Sequence, residues 1–180
     1  MKINYGKVTE NIRLKLEEYV LTNNIQSLVL GVSGGIDSAL AAALAAPVAE
    51  KLNIPLIGRS ISIVSNKISE RERADEIGFL FCNNYKEVDL SSQFEAMRQV
   101  DSMEATLDKD DSESITYKIR MGNIKARMRM IHLYNLASKH KGMVLSTDNL
   151  TEYNLGFWTL CGDVVIMECF KDFGKPKFMN

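Results

Sequence analysis

The sequence predicts an α/β fold, a doubly wound parallel sheet, and three observations predict it. Short apolar runs alternate with longer helix-forming stretches, as parallel strands joined by crossover helices require. The runs are apolar at consecutive positions rather than alternate ones, so both faces of each strand are to be buried. A glycine-rich turn joins the first run to a helix, which puts a sharp bend at the carboxyl end of a strand, where open parallel sheets gather ligands.

Ile3, Val8, Ile12, Leu16 and Val20 recur at helical spacing and predict an amphipathic first helix. SLVLGV (27–32) reads as a buried parallel strand, followed by a Gly/Ser turn and the alanine-rich helix former DSALAAALAAPVAEKL. Pro47 is expected to kink or end that helix, because it lacks an amide and its ring crowds the preceding turn. IPLIGRSI (54–61) predicts a second strand, and SERERADEIGFLF (69–81) a helix capped by Ser69. KEVDL gives a short third strand and SSQFEAMRQV a helix, after which DSMEATLDKDDSES reads as an acidic surface loop. A long helix is expected from Ile115 to about Lys141, amphipathic through Ile119, Met121, Ile124, Met128, Ile131 and Leu133. Its methionines read as core packing. GMVLST (142–147) completes the set as a fourth strand.

The 180 residues fit one domain with a sizeable core. With 22 basic and 23 acidic side chains the net charge is −1, which gives no electrostatic reason to expect nucleic-acid binding. The longest apolar run, Ala39 to Ala49, is too short to span a bilayer, and the polar N-terminus lacks a signal-peptide core. A cytoplasmic protein without membrane contact is the expectation. Cys82, Cys161 and Cys169 lack metal spacing and are odd in number, so reduced thiols are expected. His132 and His140 read as surface or packing residues.

GVSGGIDSA (31–39) carries the first chemistry. Gly34 and Gly35 let the backbone approach a ligand closely. The amides then face an anion at the positive start of a helix, with the Ser33 and Ser38 hydroxyls as added donors. No GKS/T follows, so the loop is not a Walker A motif. Asp37 would repel a phosphate unless a divalent cation lay between them, which makes it a candidate Mg2+ ligand. The alternative is that Asp37 caps the helix and the glycines only turn the chain.

The residues SGGIDS resemble the signature of the ATP pyrophosphatase, or PP-loop, enzymes. The resemblance implies cleavage of ATP between its α and β phosphates and adenylation of an acceptor oxygen. The signature is shared by NAD, GMP, argininosuccinate and asparagine synthetases and by tRNA-thiolating enzymes. Two further stretches are similar to the NAD synthetase branch. GNIKARMRMIHLYNLA (122–137) resembles that family's helix, and STDNLTEYNLGFWTLCGD (146–163) its loop after the next strand. Together the resemblance covers about residues 1–164.

It implies an adenine-nucleotide α-hydrolase-like, Rossmann-like fold and an ammonia-dependent synthesis of NAD+ from deamido-NAD and ATP through a deamido-NAD adenylate, with release of AMP and pyrophosphate. The implied ATP contacts are Gly31, Ser33, Gly34, Gly35, Asp37, Ser38 and Thr147. The implied substrate contacts are Asn123, Arg127 and Asp163, and the implied Mg2+ carboxylates are Asp37 and Glu152. Arg127 offers a planar donor fork suited to phosphate or carboxylate, whereas Lys125 and Arg129 read as a solvated helix face. The resemblance also implies a homodimer and no protein nucleophile. Rival readings are another adenylating PP-loop amidotransferase or thiolase, or a nucleotide-binding remnant without activity.

The sequence departs from the family pattern at Leu160, where many members carry a substrate-contacting lysine, and throughout residues 165–180. Restoring one base after Val164, with permitted synonymous codons, yields VGDYGMLQRLWKTEVYE, which resembles a family continuation. The expectation is therefore a synthetase domain over 1–164 and an out-of-frame tail over 165–180, with Lys175 a lysine in both frames. The substrate groups and dimer surface the tail replaces predict loss of activity in the 180-residue chain.

Overall fold

The computed structural model describes residues 4–64, 67–104, 114–156 and 159–162, with backbone alone described at 101–104, 150 and 153. The elements run α1 (Tyr5–Thr22), β1 (Ser27–Gly31), α2 (Ile36–Leu52), β2 (Leu56–Ser62), α3 (Ile68–Phe81), β3 (Asn84–Asp89), α4 (Ser91–Glu104), α5 (Ile115–Lys139), β4 (Gly142–Val144) and α6 (Leu150–Leu155). The four strands form one sheet in the order β3-β2-β1-β4, and every pairing is parallel. Leu28 lies opposite Leu56, Gly31 opposite Arg59, and Val29 opposite Val144. The predicted doubly wound parallel α/β fold is therefore the fold observed.

Successive strand residues point to opposite faces, and the two cores follow that alternation. Leu28, Leu30, Val32 and Leu56 pack against Leu16 and Val20 of α1, Ala42, Ala45, Val48 and Ala49 of α2, and Ala74 of α3. Val29, Ile57, Ile61 and Val144 pack on the other face against Phe94 of α4 and Met121, Met130, Leu133 and Ala137 of α5. Burying an aliphatic side chain of this kind contributes roughly 1.5–3 kcal/mol. Two independent cores therefore hold the central strands from both sides.

Pro47 does not end α2, one of the two outcomes expected of it: the helix runs on to Leu52 and stops at Asn53 in the left-handed conformation. The reason lies on α1. Pro47 has no amide for the carbonyl four residues back, that of Ala43, and Arg13 Nη2 donates to this carbonyl at 3.1 Å.

Two further expectations are corrected. Ser69 does not cap α3; the cap position is Lys67, whose backbone is extended, while Ser69 is already helical. On α5, Ile119 and Ile131 are 59% and 69% exposed rather than buried. Each helical residue turns by about 100°, so Ile131, directly after the buried Met130, is carried off the sheet-facing stripe. Met121 and Met130 are core residues as expected. α4 continues through the start of the acidic segment to Glu104, and residues 105–113 lie outside the described ones. No helix among the described residues is long and apolar enough to cross a membrane.

His132 is a half-buried packing residue whose Nε2 is buried without a hydrogen-bond partner among the described residues. Burial, and secondarily the Arg59 guanidinium, hold its pKa below the ordinary 6.5. The unfolded chain therefore binds a proton more readily than the folded one. The penalty is absent above the ordinary imidazole value and grows as pH falls beneath it. Urea unfolding at about pH 7.5 and about pH 5.5 should show a fall in stability that His132→Gln reduces. Equal falls in both proteins would assign the acid sensitivity to other groups.

Candidate functional site

Gly31 ends β1, and the chain turns through Val32–Gly35 into α2. Gly34 adopts φ +79°, and a Cβ there would lie 2.3 Å from the Glu70 carbonyl oxygen in the first turn of α3. Only glycine fits, because the backbone of α3 rests on the loop. Ser38 Oγ, 1% exposed, donates to the Gly35 carbonyl at 3.0 Å, receives the Ser33 amide at 3.3 Å, and lies 3.1 Å from Ser33 Oγ. Ser33 Oγ in turn accepts from the Gly35 amide at 3.2 Å. The amides of Ser33 and Gly35 are thus closed onto the loop's own hydroxyls, whose oxygens occupy the acceptor role that an anion's oxygens would take.

Asp37 stands half-buried in the first turn of α2. It is not the cap: Gly35 holds that position, without a side-chain bond. Among the described residues, no hydrogen bond or ion pair engages the Asp37 carboxylate.

After β4, the Leu145 amide donates to the Val29 carbonyl at 2.8 Å, and the chain runs through Ser146, the half-buried Thr147, and Asp148 to α6. Asn149 and Glu152 form a reciprocal cap there. The Asn149 amide donates to Glu152 Oε2 at 3.2 Å, and the Glu152 amide to Asn149 Oδ1 at 3.0 Å. Glu152 thus holds a local structural bond that was not anticipated, although Asn-x-x-Glu is the sequence signal for one.

α5 lies along β1: Ser27 Oγ at the strand's start donates to the His140 carbonyl, while a Cβ on Gly31 at its end would meet Leu133 Cδ1 at 3.2 Å. A helix rises about 1.5 Å per residue, so the N-terminal half of α5, well before Leu133, runs past the carboxyl end of β1. Asn123 and Arg127 lie on that half. They grip the turn at residues 159–162: Thr159 Oγ1 donates to Asn123 Oδ1 at 2.7 Å, and Arg127 Nε to the Leu160 carbonyl at 3.1 Å. Asp163 lies outside the described residues.

Three cationic side chains near these strand ends escaped the sequence reading or were misplaced by it. Arg59, in β2, is 6% exposed, and its Nη1 donates to the carbonyls of Gly58 and Asn84. Burial lowers its pKa. Arg129 faces inward rather than into solvent, its Nε on the Ile61 carbonyl at 3.3 Å, and burial lowers its pKa too. Lys125, also expected on a solvated face, places Nζ 4.9 Å from the centre of the Phe94 ring. The signal for Arg59 was an arginine inside an otherwise apolar strand run. Cys82 is buried, and its thiol is pushed up to about 11, mainly by burial, so it is no nucleophile at neutral pH.

Strand order reverses between β1 and β4, since the chain proceeds from β1 to β2 and β3 on one side and returns to β4 on the other. The 32–35 loop and the 145–149 loop leave adjacent strands at that point. The arrangement defines an open parallel α/β domain with a glycine loop at the switch point of its sheet, where such folds hold their ligands.

The family to which this architecture belongs follows from direct comparison. The family model described as NAD synthase matches residues 8–175, and the chain belongs to that family. It is 34% identical over 148 residues to an NH3-dependent NAD+ synthetase of Mycoplasma pneumoniae, covering 82% of this chain and 54% of that protein. A synthetase of the same description from Lacticaseibacillus casei is 32% identical over 149 residues, with the same coverages of 82% and 54%. Among solved structures, the NH3-dependent NAD synthetase of Campylobacter jejuni in complex with nitrate superimposes with a TM-score of 0.74 at 27% identity. That match covers 89% of this chain and 64% of the other. The chain spans about half the length of the curated relatives it matches.

Proposed function

We propose that this chain carries the ATP-adenylating site of an NAD+ synthase, a carbon–nitrogen ligase that uses deamido-NAD, ATP and ammonia. The observation that carries the reading is the glycine loop of residues 33–38 at the switch point, held by its own Ser33 and Ser38 hydroxyls against the start of α2, where an anion is favoured. In this reading Gly31, Gly34, Gly35 and Thr147 line the ATP side of the crevice. Asn123, Arg127 and Asp163 serve deamido-NAD, the first two through the end of α5 that overhangs the strands.

The carboxylates present fit Mg2+. Asp37 has no competing bond among the described residues, and Glu152 keeps one further oxygen beyond the one that caps α6. No group of three His, Cys, Asp or Glu side chains able to hold a metal occurs among the described residues. Mg2+ favours one or two carboxylates, with phosphate oxygens and water completing the shell. Bound there, it would neutralise charge on the phosphates.

The deamido-NAD carboxylate attacks the α-phosphorus of ATP, the bond to the β-phosphate oxygen breaks, and pyrophosphate leaves. Ammonia then attacks the acyl carbon, AMP departs with the electron pair, a proton is lost, and the amide remains. The protein's part is positioning and charge neutralisation rather than nucleophilic attack. We further propose a cytoplasmic setting and a homodimer, the latter supported by exposed Met97 and Val100 on α4 and Ile115 and Ile119 on α5, two helices that pack together. Sedimentation of the purified chain tests the dimer.

The test of function is AMP and NAD+ formation from ATP, deamido-NAD, Mg2+ and ammonia. It is run on this chain and on the version with one base restored after codon 164, which also tests the division into a 1–164 domain and a 165–180 tail. Asp37→Asn and Glu152→Gln should each lower turnover by about 100-fold in the active form. The glutamine variant is chosen because glutamine still serves a capping box, so its loss of activity reports the charge. NAD+ from neither form sinks the assignment, and ATP binding without turnover would leave a nucleotide-binding protein only.

A further inference from the structure

The loop that the sequence marks as an anion cradle is held in shape by a residue from outside it. Arg73, on the exposed side of α3, donates its Nε to the Gly34 carbonyl at 3.1 Å, across 39 residues of chain. The Gly34 carbonyl and the Gly35 amide belong to one peptide plane and point in opposite directions. Fixing the carbonyl therefore fixes the amide. If this plane flips, the Gly35 amide leaves Ser33 Oγ and the Gly34 carbonyl dipole turns into the loop, which then no longer suits an anion. Gly34 is the residue most able to permit a flip, since glycine occupies positive and negative φ about equally readily.

Two features show that α3 is built onto the loop rather than lying near it by chance. The Glu70 carbonyl and the Ala74 amide flank the position where a Gly34 Cβ would stand, at 2.3 and 3.3 Å from it. Ala74, next to Arg73, is 1% exposed and anchored in the core shared with α2. The helix that carries the guanidinium is thus fixed, and the guanidinium brings a permanent positive charge to the loop's rim.

We propose that Arg73 is a positioning residue for the polyphosphate of ATP, locking the Gly34–Gly35 peptide so that the Gly35 amide stays on Ser33 Oγ and the loop keeps the shape that receives the anion. The proposal rests on the ATP-binding reading above, and it assigns to α3 a role that the glycine motif alone does not contain.

Calorimetric titration with Mg-ATP, Mg-pyrophosphate and adenosine separates the possibilities, using the full chain and its Arg73→Ala and Arg73→Lys variants, with a thermal melt to establish that each is folded. The expected result is a weakening of about 10-fold for ATP and pyrophosphate in Arg73→Ala, with adenosine affinity unchanged. Arg73→Lys, which keeps the charge and a donor of similar reach, should recover most of that loss. Unchanged pyrophosphate affinity in folded Arg73→Ala would overturn the proposal, as would an equal loss for adenosine, which indicates general damage to the site. Absence of ATP and pyrophosphate binding in the unsubstituted chain would instead overturn the nucleotide reading, and the role of Arg73 with it.

Discussion

Gly34→Ala is expected to abolish polyphosphate binding and to lower stability by about 3 kcal/mol, the largest single-residue effect at the site. Two costs combine. The left-handed conformation at φ +79° carries a penalty of roughly 1–2 kcal/mol for any residue with a Cβ. The added methyl would also stand 2.3 Å from a backbone oxygen of α3, which cannot rotate away as a side chain could. Either α3 retreats, taking Arg73 with it, or the loop changes conformation and its amides turn. Gly156→Ala is the control, because Gly156 shares a positive φ of 68° but has nothing among the described residues within 4 Å of the new methyl. Urea unfolding and pyrophosphate titration of both variants give the check. The Gly156 variant should lose only the conformational part, and equal losses would show that contact with α3 is immaterial.

The sequence made the sheet and the loop legible because both are written locally. Consecutive apolar residues such as Leu28–Leu30 can only be buried on two faces, and a Ser-Gly-Gly turn before a helix has few conformations open to it. Contacts between segments distant in the chain were not legible. Nothing around Arg73 announces that its guanidinium meets a carbonyl 39 residues away, and nothing in GNIKARMRM tells that Arg129 turns inward while Ile131 turns out. Both depend on how α3 and α5 settle across a twisted sheet. Glu152 illustrates the middle case. Its place after β4 could be read from spacing, whereas its bond to Asn149 competes with the wider motif for the same side chain.

Pro47 is the clearest instance of a local rule overridden at a distance, and it supports a second prediction of stability. A proline in a helix interior costs about 3 kcal/mol relative to alanine, in part because one carbonyl loses its donor. Here that carbonyl, on Ala43, receives Arg13 Nη2 from α1. The arginine should therefore matter because the proline is present. Arg13→Leu, which keeps apolar bulk between α1 and α2, is expected to destabilise the chain by about 1–3 kcal/mol, the cost of an acceptor left without a partner. In the Pro47→Ala background the residue at position 47 supplies the missing amide, and the same arginine substitution should cost well under about 1 kcal/mol. A double-mutant cycle by urea unfolding should then give a coupling of about 1–2 kcal/mol between two side chains that share only a backbone carbonyl. Additive losses would mean that water satisfies the Ala43 carbonyl as well as the guanidinium does. In that case α2 passes through Pro47 because the α1–α2 packing holds it, and Arg13 contributes no more than its share of that packing.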